Sequence, residues 1–182
     1  MTLHLLALIF PLLMAFAACS DLLTMRISNM LVAAVVVGFV AIAAILGLSL
    51  TAIGLHLAAG AVVLVVTFTL FALGWIGGGD AKLAAAIAMW MGFEFTLPFL
   101  LYSSILGGVL TFVLLFGRRY ALPAPLLGVG WIQRLHHPKT GVPYGIALAI
   151  AAMLVYPQTL VYEELVTDRA VQETLLDQLS TF

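Results

Sequence analysis

Apolar residues run along this chain in long blocks rather than in an amphipathic rhythm, and the polar breaks between the blocks are few. Leu3 to Cys19 is the first block, interrupted mainly by Pro11, which is expected to kink the helix it predicts. Ser20 to Asn29 is the first polar interval, holding Asp21, Arg26, Ser28 and Asn29. Ser28 or Asn29 is expected to cap the helix that follows. From Ile27 to Gly79 there is no Asp, Glu, Lys or Arg. One span needs about 20 apolar residues, so this block predicts two spans, joined by a turn over Gly47 to Gly54 with His56 just beyond it. Two spans return the chain to the side it left. Asp21 and Asp80 are therefore expected at the same face of a membrane.

The block after Lys82, Leu83 to Phe93, is short. At 1.5 Å per residue it rises only about 16 Å, against a hydrocarbon core of about 30 Å. The fourth helix is therefore expected over roughly Asp80 to Phe95, stopping short of Pro98, with Glu94 near its far end. Asp80 then lies on the first turn, where the positive end of the helix dipole favours an anion. A fifth helix is expected over Leu97 to Gly117, in which Ser103-Ser104 and Gly107-Gly108 are small enough for close helix contact. Arg118 to Thr140 reads as a polar loop broken by three prolines, and Gly141 to about Val161 as the sixth helix. The pattern divides the chain into a six-helix transmembrane unit, residues 1–162, and an acidic, amphipathic or partly disordered tail, residues 163–182.

Composition fixes the class. Of 182 residues 64% are hydrophobic and 8% charged, with a mean hydropathy of +1.22, whereas a soluble domain carries about 25% charged residues. The expected fold is all-α and polytopic, with the lipid bilayer as its solvent. The net charge of -1 says nothing about nucleic acid, and no Lys/Arg cluster is dense enough to bind it, so no nucleic-acid partner is expected. A single cysteine, Cys19, excludes an internal disulfide and a multi-cysteine zinc site. Phe16 to Cys19 loosely resembles a lipoprotein cleavage box, but no Lys or Arg precedes Arg26, so a retained first helix is expected over a signal peptide. With six spans, Arg26, Lys82, Arg118, Arg119, Arg134 and Lys139 fall on one side and Arg169 on the other. The positive-inside rule makes the first side cytoplasmic and leaves both termini outside. Trp75, Trp90 and Trp131 fit interfacial anchoring.

The candidate chemistry lies in two carboxylates. Asp80 follows Gly77-Gly78-Gly79, glycines that let a second backbone come close. A charged group inside an apolar chain has a partner or a task. Two carboxylates at a membrane face suit aspartyl proteolysis. One, ionised, takes a proton from the water that attacks a peptide carbonyl, and the other, protonated, donates to the carbonyl oxygen. Such a pair shares a proton and needs no metal or cofactor. Each residue also has a structural reading: Asp21 as a cap or interfacial charge, the glycines as a turn, Asp80 as a partner of Lys82 or Arg26. The residues alone leave a protease, a small transporter and a structural membrane protein open. His136-His137 has no carboxylate nearby and reads as an interfacial loop rather than a metal site.

Three motifs in register go further. Asp21 followed by Arg26-Ile27-Ser28-Asn29, then Gly77-Gly78-Gly79-Asp80-Ala81-Lys82-Leu83, then Val142-Pro143-Tyr144-Gly145, resemble the prepilin peptidases, GxGD-class membrane aspartyl proteases, from about Ser20 to about Ala151. The family commonly has Ile-Pro-Asn where this chain reads Ile27-Ser28-Asn29. The resemblance implies that Asp21 and Asp80 are the catalytic pair, supported by Gly77, Gly79, Lys82, Arg26, Asn29, Pro143, Tyr144 and Gly145. It implies prepilin or pseudopilin substrates, cut on the cytoplasmic side between a short basic leader and an apolar helix, and other pilus-assembly proteins as further partners. Larger members carry a paired-cysteine domain associated with methylation of the new N-terminus. With one cysteine, this chain looks like the small CpaA/TadV type serving Flp-type pili, without methyltransferase activity.

Overall fold

The computed structural model describes residues 2–166, which are helical apart from turns, with no strand among them. Eight helices follow in order: α1 Thr2–Leu6, α2 Ile9–Thr24, α3 Asn29–Ile45, α4 Leu50–Ala72, α5 Gly78–Gly117, α6 Gly130–His136, α7 Tyr144–Val155 and α8 Leu160–Val166. Three stretches are long and apolar enough to cross a membrane, His4–Thr24, Leu50–Ala72 and Gly78–Gly117. The pair Tyr144–Gln158 and Leu160–Val166, bent by 59°, would make a fourth. Large apolar side chains stand exposed on α3, α4 and the end of α5, among them Val37, Val65, Phe68 and Phe112. Lipid tails are as apolar as these side chains, so such faces cost nothing in a bilayer. This is a membrane protein. Of the tail expected over residues 163–182, residues 167–182 lie outside the described residues; its first residues belong to α8, where Leu165 is buried.

Local chemistry sets the helix ends. The break between α1 and α2 falls at Ala7-Leu8, one turn before Pro11. A proline cannot donate to the carbonyl four residues back and its ring crowds that carbonyl, so the kink expected of Pro11 lies at residue 7. Ser28 caps α3, its hydroxyl accepting from the Leu31 N–H at 3.1 Å. The turn into α4 is tighter than the sequence suggested. Gly47 takes a left-handed conformation and closes α3, Ser49 caps α4, and Gly54 lies inside α4. The expected sixth helix is likewise divided: α7 stops at Val155, Pro157 occupies a short 3-10 turn, and extended Thr159 leads into α8.

The largest departure concerns the fourth and fifth helices. The sequence suggested a boundary next to Pro98, but the break lies at Gly92 (φ 64°, ψ 179°), and Pro98 sits inside the second arm of α5. A straight α5 would carry Ser103 roughly 35 Å along the axis from Asp80. Instead the Tyr144 hydroxyl donates to the Ser103 carbonyl at 3.0 Å, while Gly145, next in the chain, donates to Asp21 at the end where Asp80 lies. The second arm therefore doubles back. Reversal at one residue needs a positive φ, which glycine supplies and proline, fixed near −65°, cannot. The break leaves carbonyls of the first arm without helical partners. His56 from α4 answers one of them, its Nδ1 donating to the Met89 carbonyl at 2.7 Å. Gly92→Ala is expected to lower stability by about 2 kcal/mol, since only glycine takes this conformation readily and a Cβ would stand 3.0 Å from the His56 ring. Thermal melting in detergent measures it; an unchanged midpoint would contradict this account of the reversal.

The first arm of α5 is the centre of the molecule. Apart from Lys82, every residue from Ala81 to Gly92 is buried, and α3, α4 and α7 all pack on α5. Alanines at 84, 85, 86 and 88 and Gly60 on α4 keep the backbones close, as small residues do in membranes. Trp90 corrects the interfacial expectation. It is fully buried, donates its indole N–H to the Val35 carbonyl at 2.9 Å, and packs against Phe10, Phe39 and Tyr156. Trp75 is exposed and Trp131 partly so. Phe10 also stacks on Tyr156, and α1 packs against α8. Both ends of the described chain therefore lie together, at the end of the bundle opposite Asp21.

Candidate active site

Three helix ends build the site. Asp21 stands in the last full turn of α2, and the chain leaves that helix through Met25, a left-handed residue (φ 55°) whose N–H bonds the Asp21 carbonyl. The Ser20 and Thr24 hydroxyls lie 3.3 and 3.2 Å from the Arg26 carbonyl and hold the turn. The turn sends Ile27 between the other two helix ends: its Cβ would stand 3.1 Å from a Cβ at Gly79, and its Cδ1 2.9 Å from one at Gly145. Ile27 occupies the space at Gly79, and Ile27 and the Asp21 carboxylate together occupy it at Gly145. That explains the third residue of the glycine run and the glycine of Val142-Pro143-Tyr144-Gly145 together.

Both carboxylates face the N-terminus of a helix. Gly145 is the second residue of α7, and its otherwise unpaired N–H donates to Asp21 Oδ2 at 2.8 Å. Asp80 is the third residue of α5, and its carboxylate turns back to accept from the backbone of Gly77, the N-cap. This is the reciprocal half of a capping box. Each acid thus lies where the helix dipole favours negative charge. Asp21 is only 4% exposed and Asp80 is half-buried, and Asp21 is near enough for its charge to act on Asp80. Both open onto one cleft of about 740 Å³, floored by the backbone of Gly77 to Gly79 and rimmed by Arg26, Ser28 and Asn29. The cleft is polar and open to solvent. It can admit an extended peptide backbone and water beside two carboxylates.

The supporting residues divide by role. Lys82 does not serve Asp80: its ammonium donates to Asn29 Oδ1 at 3.0 Å, tying the start of α5 to the start of α3. Arg26 is exposed at the cleft rim. Pro143 is buried and precedes α7. Tyr144 packs against the second arm of α5, where a Cβ at Gly107 would collide with its ring. Of the small residues noted there, Ser103 and Gly107 seat Tyr144, while Gly108 faces open space. Arg134 was not singled out for the site. Its guanidinium donates to the Leu23 carbonyl at 2.9 Å and caps the end of α2 two residues past Asp21. Arg118 holds the same loop through the Leu135 and Gly141 carbonyls. Nothing local in the sequence signals either contact. Glu94 is exposed at the Gly92 reversal, away from the site. Among the described residues no three His, Cys, Asp or Glu side chains cluster as metal ligands.

Comparison with known proteins identifies the family. No solved structure matches the chain. A prepilin leader peptidase/N-methyltransferase of Xanthomonas campestris pv. campestris is 43% identical over 63 residues, 31% of this chain. The match takes in 22% of that relative's length. The model of the type IV leader peptidase family matches residues 8–112, more than half the chain and both aspartates with it, and the chain belongs to that family.

Proposed function

We propose that the chain is an aspartyl endopeptidase of the bacterial inner membrane that removes the short basic leader of Flp-type prepilins or pseudopilins on the cytoplasmic side. The observation that carries this reading is the meeting of Asp21 and Asp80, from helices far apart in the sequence, in one polar cleft. Like charges so placed share one proton. The ionised member takes a proton from water as it attacks the scissile carbonyl. The protonated member donates to the carbonyl oxygen, and the departing amine is protonated as the tetrahedral intermediate collapses. Backbone N–H groups of Gly77 and Gly145 steady the carboxylates through the cycle. Arg26 lines the approach, and its charge together with that of Lys82 nearby on α5 biases the field there.

In this reading the chain crosses the membrane six times, with both termini outside. The two arms of α5 are separate spans, and the shared end for α1 and α8 supports an even number. Arg134 and Arg118 lie at the Asp21 end of the bundle, which supports a cytoplasmic site. The single cysteine favours cleavage without methylation of the new N-terminus. Other pilus-assembly proteins are expected partners. The test is purified chain in lipid with a Flp-type prepilin, S-adenosylmethionine as a methyl donor, and a metal chelator. The expected product has lost its leader and carries an unmethylated N-terminus. Inhibition by the chelator would overturn the aspartyl mechanism.

A further inference from the structure

α3 and α4 follow one another in the chain yet barely touch, and each packs instead on α5. A track runs along α5 there, bounded by α4 near Gly78 and reaching Val32 and Val36 of α3 further down. One cavity of about 610 Å³ lies between α4 and the start of α5, lined by Leu64, Val65, Phe68 and Phe71 with Gly78 and Lys82. A second, of about 210 Å³, continues from Leu64 and Lys82 to Gly60, floored by Ala85, Ala86 and Met89. The track runs from Gly78 to Met89, roughly 16 Å, or three turns of helix. It opens outward: Val65 is 67% and Phe68 59% exposed. Its upper end shares Gly78 with the polar cleft of the two aspartates. Gly78 packs closely on the Phe71 ring at this junction: a Cβ there would stand 3.1 Å from it.

We infer that this track seats the apolar helix of the substrate, just past the bond to be cut; the inference rests on the peptidase reading above. A prepilin changes from polar leader to apolar helix at the scissile bond, and the molecule changes from polar cleft to apolar track at Gly78, beside Asp80. An elongated apolar gap floored by alanines accepts a helix, as small residues permit close helix approach in lipid. The substrate enters sideways from the bilayer past the exposed Val65 and Phe68 of α4, and its helix sets which peptide bond reaches the carboxylates.

The test uses the full chain in lipid vesicles with a photoreactive benzophenone amino acid placed at Phe68 or, as control, at Phe112, an exposed residue on the second arm of α5. Asp80→Asn in both keeps the prepilin uncut. Crosslinking to prepilin from position 68 and not from 112 is expected. Crosslinks to lipid alone, or equal yields from both positions, overturn the inference. Native chain is assayed in parallel: crosslinking without cleavage sinks the peptidase reading and leaves the track, and cleavage without crosslinking does the reverse. Val65→Trp, which fills the track, is expected to lower kcat/KM roughly tenfold for full-length prepilin. A soluble peptide that spans the bond but lacks the apolar helix should be cut at an unchanged rate. Equal losses on both substrates would mean damage to the cleft and would count against the track.

Discussion

Asp80→Asn is expected to reduce leader removal by roughly three to four orders of magnitude while the protein stays in the membrane at normal abundance. The asparagine amide has nearly the shape of the carboxylate, and its oxygen can still accept from the Gly77 backbone, so the cap on α5 survives. What it cannot do is give and regain a proton within the catalytic cycle. Asp21→Asn is expected to behave alike, because an amide oxygen can keep the bond from the Gly145 N–H. The paired loss has diagnostic value. A purely structural role for these acids would survive both changes, since the hydrogen bonds they make are of the kind an amide can accept. Rates of prepilin cleavage, normalised to protein in the membrane, measure the effect; more than about a tenth of native activity in either variant contradicts the assignment.

The second large effect is expected from one methyl group. Gly145→Ala places a Cβ 2.8 Å from Asp21 Oδ2 and 2.9 Å from Ile27 Cδ1. Neither neighbour moves freely: Asp21 is buried, and Ile27 is wedged against Gly79. The carboxylate must shift by several tenths of an ångström, and misplacement on the scale of 1 Å costs roughly 100-fold in rate. Activity is therefore expected to fall by about that factor, with the loss in kcat rather than KM. Gly141→Ala, four residues earlier where nothing lies within 4 Å, is the matched control and should be silent. Equal activity in the two variants would show that the contact between α7 and Asp21 does not position the acid.

How far the sequence reveals this arrangement depends on the kind of information each feature needs. That Asp21 and Asp80 share a face needs only a charge-free stretch of the right length, because two crossings return the chain to its starting face; that they share one cleft depends on how the helix ends pack. The caps at Ser28 and Asp80 follow from local propensity. The reversal at Gly92 does not, because Pro98 is the louder breaker in a one-dimensional reading; yet a proline cannot take the positive φ that reversal demands. The burial of Trp90 is hidden from the sequence for a related reason. Membrane interfaces and membrane cores both accept tryptophan, and only the Val35 carbonyl opposite its indole N–H distinguishes them. The Pro11 kink was legible in cause, and its position follows from the carbonyl four residues upstream. His56, Arg134 and the Ser103–Gly107 seat for Tyr144 act through partners many residues away. No periodicity encodes such contacts.

The most direct test of the dyad is the mass of a Flp-type prepilin coexpressed with the native chain, with Asp21→Asn and with Asp80→Asn. The account predicts loss of a short leader with the native chain alone. Leader loss that persists at the native level in either variant would contradict it, because the cleft would then cut peptide without one of the two groups on which the mechanism depends.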